Sequence, residues 1–223
     1  MKISILLAVY NGEKYLRRSI ESVLNQSYKD FEILIGFNGT IDKSKDIVSE
    51  FNDSRIKIFD FGLETGKSKT LNKLLKEANG EWIAIQDDDD IWLPNKLEIQ
   101  MDLAISNNYD VIGSRIFYCD ELEKIIGTPN ISLEHQDIVN RSLNGDNQIP
   151  NTSAVFRKEK AIEVNGWDEN IIGIEDFDFW LKLIKKNCIF VNDIKPLVFH
   201  RIHNESNFNT QKYNIKELIE KYK

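Results

Sequence analysis

Two groups of carboxylates carry most of the chemistry that this chain could perform. Asp87-Asp88-Asp89-Asp90 is an unbroken acidic run directly after an apolar stretch that ends at Ile85-Gln86, and Glu175-Asp176-Phe177-Asp178 opens a stretch with helical spacing. Four like charges at the end of a strand repel one another and resist ionisation unless a cation or hydrogen-bond donors compensate. Oxygen ligands of this kind suit Mg²⁺ or Mn²⁺. The run also reads as a solvated acidic turn that favours the dipole of the helix beginning near Pro94. Glu175 and Asp176 likewise suit the first turn of a helix, where carboxylates are favoured on electrostatic grounds alone.

Elements able to position these groups are legible around them. Apolar runs at 3–9, 31–35, 55–59 and 81–85 read as buried parallel strands, separated by helical spacing at 14–25, 43–51 and 67–78. This βαβαβαβ order places the acidic run at the carboxyl edge of a parallel sheet, where open α/β sheets bind ligands. Gly80 sits where a C-terminal glycine would close the third helix. Pro94 opens a further helix to about residue 107, and 109–117 reads as another strand. Short β-like pieces and polar turns fill 118–157, 175–186 is helical, and 213–223 repeats apolar residues at helical spacing. That last helix packs on the body or makes an interfacial membrane contact.

Length and composition set the bounds. The 223 residues suffice for one α/β domain with a substantial core, and 41% hydrophobic with 29% charged residues is ordinary for a globular protein. A net charge of −7 argues against a protein that coats nucleic acid. Cys119 and Cys188 form no CxxC pair, which fits a reducing, cytoplasmic setting. The apolar run at the N-terminus is too short for a membrane span, so any membrane association is peripheral, at the inner face of the cytoplasmic membrane.

Three segments in order, AVYNGEKYLRRSIESVLNQSYKDFEILI, GKSKTLNKLLKEANGEW and GEWIAIQDDDDIWLPNKLEIQ, closely resemble family 2 glycosyltransferases of the GT-A fold over about the first 105 residues. The resemblance implies a Rossmann-like, mostly parallel central sheet flanked by helices, with a smaller mixed acceptor-side portion. It divides a single domain, 1–223, into a nucleotide-sugar half at 1–105, an acceptor half at 106–210 and a C-terminal helix at 211–223. It implies that Asp89 holds the Mn²⁺ or Mg²⁺ that bridges the donor diphosphate, that Asp87 and Asp88 approach ribose or sugar, and that Asp90 caps the next helix. Ala8, Tyr10, Asn11 and Glu13 would hold the nucleotide, with Lys67 and Asn72 near the donor. Tyr10 also suits a core aromatic, and Lys67 a solvated lysine at a helix start. Where the family reads D-D-G-S-T-D, this chain has Phe37-Asn38-Gly39-Thr40-Ile41-Asp42. The Asn38 amide can still accept and donate hydrogen bonds to a base.

GWDENIIGIEDFDFWLKL resembles the family's G-F-D-E…E-D-x-D-x-W block, and VFHRIHNES its Y-R-x-H segment. The resemblance makes Asp176 the base that deprotonates the acceptor hydroxyl, with Glu175 as alternative, while Asp178 supports structure. It places His203 with Asp89 on the metal, and Arg201 on the diphosphate, with His200 structural. Imidazole can join a carboxylate on Mn²⁺ or bond a phosphate, although a satisfied surface histidine is equally compatible with the residue type. Trp167 and Trp180 are candidates to stack on acceptor sugar rings or to fill the core, and Asn151-Thr152-Ser153 to line the acceptor pocket or form a polar turn. The implied reaction is inverting transfer of a hexose or N-acetylhexosamine from a nucleotide-sugar, UDP-linked by preference, to a saccharide or lipid-linked saccharide. A silent sugar- or nucleotide-binding module is the alternative, favoured only by the missing acids at 37–38. A nucleotidyltransferase lacks the glycine-rich phosphate loop it would need.

Overall fold

The computed structural model describes residues 1–62, 66–203 and 214–222. Strands and helices alternate as the apolar spacing predicts: β1 (Ile3–Val9), α1 (Leu16–Leu24), β2 (Phe31–Phe37), α2 (Ser44–Ser49), β3 (Ile56–Asp60), α3 (Gly66–Glu77) and β4 (Trp82–Gln86). These strands pair in parallel in the order β3-β2-β1-β4. The chain winds outward from β1 to β3 and then returns to β1's other side, so β1 and β4 flank the point where the winding direction reverses. Loops leaving their carboxyl ends must diverge there and leave room for a ligand. In register, Leu7 lies opposite Gln86, so Tyr10–Glu13 and Asp87–Asp90 leave the sheet side by side.

The second half continues the same sheet with mixed direction. Its elements are β5 (Ile91–Trp92), α4 (Lys96–Ser106), β6 (Val111–Cys119), β7 (Ile125–Gly127), α5 (His135–Leu143), a 3-10 turn at Asn151–Ser153, β8 (Val155–Arg157), α6 (Lys158–Glu163), α7 (Glu175–Lys185), β9 (Phe190–Arg201) and α8 (Ile215–Glu220). The order runs on as β4-β8-β6-β9-β5, with β8 antiparallel to both neighbours and β6 parallel to β9. Alternation along β1 sends Ile3, Ile5, Leu7 and Val9 into a core with α1 and α4, and Leu6 into the opposite core with α3 and α7. Helices therefore cover both faces of the sheet.

Several expectations shift. Gly80 does not close α3 as a left-handed cap, since it lies outside the positive-φ glycines. It lets the chain cross β1 at close range: a Cβ there would sit 2.5 Å from the Ser4 N and 2.7 Å from the Lys2 O. Trp167 and Trp180 are buried, at 2% and 1% exposed, among Phe156 and Phe179, and Trp167 stacks on Phe179 with ring centroids 4.5 Å apart. Neither is available to stack on a sugar; both are core. Of the helix expected at 213–223, Ile215–Glu220 is helical, while Tyr213 and Lys223 lie outside the described residues, as do Asn204–Ser206 of the His203 motif. Leu218 and Ile219 of α8 are buried against the body. Tyr222 Oη donates to the fully buried Asp178 Oδ1 at 2.5 Å and Lys221 Nζ lies 3.5 Å from the same oxygen, which ties the residues just after α8 to α7, while Lys182 Nζ, one turn along α7, lies 3.1 Å from Asp178 Oδ2. Among the described residues no helix is long and apolar enough to cross a membrane.

A methyl group at residue 80 would meet backbone rather than a side chain that can swing aside, so Gly80→Ala is expected to destabilise the fold by about 1–3 kcal/mol. Urea unfolding, read as a lower midpoint at unchanged slope, checks this.

Candidate active site

The first loop is stitched to the second before either meets the acidic run. Asn11 adopts a left-handed φ of 52° and accepts the Ile41 N–H on its side chain at 2.9 Å. The Gly12 N–H reaches Ser44 Oγ at 2.9 Å, the Glu13 N–H reaches Asp42 Oδ2 at 2.8 Å, and the Glu13 carboxylate takes the Lys43 N–H. Asn38 is buried at the end of β2, and its N–H bonds Val9 O at 3.1 Å. Half-buried Ala8 lies in register with Gly36. Tyr10 is 62% exposed, which removes the core-aromatic alternative and leaves its ring on the surface beside the loop.

Asp88 packs against this loop, where a Cβ on Gly12 would come 2.5 Å from Asp88 Oδ2, and its carboxylate accepts the Tyr10 N–H. Burial, with Asp89 and Asp87 beside it, pushes the Asp88 carboxyl well above the ordinary range. Asp87 moves the other way. Burial opposes its charge, yet the Lys67 ammonium at 2.7 Å and the Asn151 amide at 3.1 Å hold its carboxyl below the usual value. Lys67 also lies 3.9 Å from Glu175 Oε1, and these two carboxylates overcome its desolvation and raise its pKa. Lys67 is therefore a bridge between the two acidic groups and not a solvated helix-start lysine.

Glu175 and Asp176 form the first turn of α7. Glu175 is buried, and its Oε2 has no hydrogen-bond partner among the described residues. Burial, reinforced by the Glu175 charge, pushes the Asp176 carboxyl up to about 6. The Asn147 amide donates to Asp176 Oδ2 at 3.1 Å, a contact across 29 residues that neither spacing nor motif announced. Asn151 Nδ2 is committed to Asp87, while its Oδ1 is buried without a partner among the described residues.

On the far side, His203 Nε2 meets Asp89 Oδ2 at 2.9 Å, and its ring packs tilted against Tyr15. Asp90 is not the cap of α4, whose N-cap is Asn95. Instead it is fully buried, accepts the Arg201 N–H at 2.8 Å and pairs with His200 Nδ1 at 2.9 Å. Burial opposes charge on His200, but Asp90 outweighs this and raises the imidazole to about 9. Arg201, expected on the diphosphate, is 2% exposed and donates to the carbonyls of Asp89, Asp120 and Glu121 with its guanidinium over the Tyr15 ring. It anchors the end of β9 that carries His203. Asn72 is likewise diverted from the donor: it donates to Trp167 O and accepts the Trp167 N–H, both at 2.9 Å, and a Cβ on Gly166 would collide with its Oδ1 at 2.2 Å. It clamps α3 to the turn that precedes α7.

Comparison with known proteins agrees with this architecture. Residues 4–164 match the profile described as Glycosyl transferase family 2. The chain is 30% identical to the O-antigen biosynthesis glycosyltransferase WbnJ of Escherichia coli, over 98% of this chain and 89% of that protein. It is 31% identical to the Escherichia coli UDP-Glc:alpha-D-GlcNAc-diphosphoundecaprenol beta-1,3-glucosyltransferase WfgD, over 84% of this chain and 71% of that protein. Among solved structures, Staphylococcus aureus TarS 1–349 in complex with UDP-GlcNAc superposes with a TM-score of 0.81 at 18% identity, covering 98% of this chain and 64% of that one. The mannosyltransferase PcManGT from Pyrobaculum calidifontis, in complex with GDP-Man and Mn²⁺, gives 0.71 at 14% identity, covering 92% of this chain and 58% of that one. The chain thus spans less than two thirds of those solved chains, and the likeness establishes the GT-A fold.

If Arg201 is an anchor, its loss registers in stability. Arg201→Lys keeps the charge but strands buried carbonyls, each worth about 1–3 kcal/mol when left unmet. Chemical denaturation is expected to show a loss of about 3 kcal/mol or more; unchanged stability would instead return Arg201 to the ligand.

Proposed function

The chain belongs to glycosyl transferase family 2, and we propose that it transfers a sugar, with inversion, from a UDP-sugar to a hydroxyl of a saccharide or lipid-linked saccharide. The observation that carries this reading is the Lys67 bridge, which brings the acidic end of β4 and the acidic start of α7 to one ammonium, at 2.7 and 3.9 Å. Donor and acceptor chemistry then share one edge of the sheet. The nucleotide would lie along Ala8, Tyr10, Asn11, Glu13 and Asn38, with Asp87 and Asp88 toward ribose and sugar. WfgD's name specifies a UDP-glucose donor and a diphosphoundecaprenol-linked acceptor, and TarS was solved with UDP-GlcNAc; both favour a uridine donor here by analogy. A lipid-linked acceptor would bring the protein to the inner face of the cytoplasmic membrane.

Asp176 is the proposed base. As the acceptor oxygen attacks the anomeric carbon, its proton passes to the Asp176 carboxylate, while the bond from that carbon to the diphosphate oxygen breaks with its electron pair on the leaving group. A carboxyl raised to about 6 by burial is better matched to accepting a proton near neutral pH than an ordinary aspartate. Glu175, one residue earlier and with an unmet oxygen, suits a sugar hydroxyl. Among the described residues no group of three or more His, Cys, Asp or Glu side chains is gathered for a metal. Asp89 and His203 nevertheless present an adjacent carboxylate oxygen and imidazole nitrogen, a donor set that fits Mn²⁺ or Mg²⁺ with the remaining positions left to diphosphate and water. When bound, such an ion would offset the charge on the departing nucleoside diphosphate as a Lewis acid.

Incubation with UDP-, dTDP- and GDP-sugars, with and without Mn²⁺, is expected to release nucleoside diphosphate from a UDP-sugar only when metal is present. Asp89→Ala should abolish release. A wild type that neither releases nor binds any donor would leave a silent binding module.

The pH profile provides a separate check. Because the base must be deprotonated, kcat/KM is expected to rise with pH through about 6 and to level off above it. Asp176→Asn should lose about 100-fold or more in kcat.

A further inference from the structure

The segment that runs from α5 into the 3-10 turn sends one amide to each acidic group. Asn151 donates to both oxygens of Asp87, and Asn147, four residues earlier, donates to Asp176 Oδ2 at 3.1 Å. The orientation of the Asn147 amide is settled by its other end, where Oδ1 accepts the Ile149 N–H at 3.2 Å and so turns the NH₂ toward Asp176. The backbone beside it is pinned as well. Gln148 is fully buried, accepts the Ser132 N–H at 2.8 Å and donates to Asp146 O at 3.1 Å, while Asn192 donates to Gln148 O at 2.9 Å. Ile149 is 1% exposed in the core. A donor fixed at both ends thus meets, from outside α7, a carboxylate that its own helix holds through the Phe177 N–H.

We infer that Asn147 is a positioning residue for the transfer reaction: it holds one oxygen of Asp176 so that the carboxylate stays aimed at the acceptor hydroxyl. The inference rests on the reading of Asp176 as base. A neutral amide can do this without adding charge, whereas a lysine there would pair with the base and an acid would repel it. The other charged groups that act on Asp176 are Glu175 on its own helix, Lys67 on α3 and Asp87 at the end of β4. The neutral donors to its side chain are the Phe177 N–H on its own helix and the Asn147 amide, which reaches it from outside α7, and donation to the ionised form favours that form.

The test compares wild type, Asn147→Ala, Asn147→Asp, Asp176→Asn and the double variant Asn147→Ala/Asp176→Asn. The readout is UDP release from UDP-glucose and UDP-GlcNAc with Mn²⁺. Asn147→Asp has nearly the same shape, keeps an acceptor for Ile149 N–H and reverses the interaction with Asp176, so it reports even if the alanine variant folds poorly. The expected result is a kcat lower by about 10- to 100-fold with donor KM within about twofold, an acidic limb displaced to higher pH, and no further loss when Asn147→Ala is added to Asp176→Asn. Unchanged kcat in Asn147→Asp, or losses that multiply in the double variant, would overturn the inference while leaving the base assignment intact. Full activity in Asp176→Asn, or no release from either sugar by wild type, would instead remove the reading on which the inference stands.

Discussion

The organising constraint of this protein is the repulsion among carboxylates that must sit together at one edge of a sheet. Asp87 to Asp90 and Glu175-Asp176 converge there, and Lys67 is placed to touch both sets. Without that ammonium, two partly buried acidic clusters would face each other in a medium that screens charge poorly. The four aspartates escape mutual repulsion by divergent routes: Asp87 takes Lys67 and Asn151, Asp88 is pushed toward its neutral form, Asp89 turns to His203, and Asp90 leaves for His200 and the Arg201 backbone. One run of identical residues thereby yields four different environments.

Around that edge, much of the surrounding sequence serves to hold loops that would otherwise be loose. The reversal between β1 and β4 provides the opening, and side chain to backbone bonds from Asn11, Glu13, Asp42 and Ser44 close one rim of it. Arg201 secures another through carbonyls of Asp89, Asp120 and Glu121, and Asn72 a third through Trp167. These polar groups are costly to bury unless they are bonded, so their partners specify loop geometry more than they add net stability.

What could be read beforehand and what could not divides along a physical line. Apolar runs located β1, β2 and β4 because burial on both faces leaves continuous hydrophobic sequence, whereas β3, expected to be buried as well, lies at the sheet edge with Lys57, Ile58 and Asp60 exposed. The candidate site residues were legible as residue types in motifs, but their partners were not. Arg201 and Asn72 carry chemistry suited to an anionic donor and spend it instead on carbonyls and a backbone N–H that lie close only after folding. Trp167 and Trp180 occupy spacings that serve a sugar platform or a core equally well, and only the packing with Phe156 and Phe179 decides. Asn147 lay in a polar stretch without periodicity, and its contact with Asp176 depends on where α7 docks.

The contact between Asp89 and His203 spans 114 residues, whereas that between Lys67 and Asp87 spans 20. In chain-entropy terms the longer closure is less favourable by about 1.5 kcal/mol, before any intervening structure shortens the path. The two flanks of the site therefore differ in closure: one is knit by neighbours within the βαβ winding, and the other is joined only through β9 on the far side of the sheet. The stretch from β1 to Asp90 contains Lys67, Asp87 and Asp89, whereas His203 lies past the end of β9. The pairing of Asp89 with His203 is then a property of the whole strand order, β1 through β9, and not of the first winding alone.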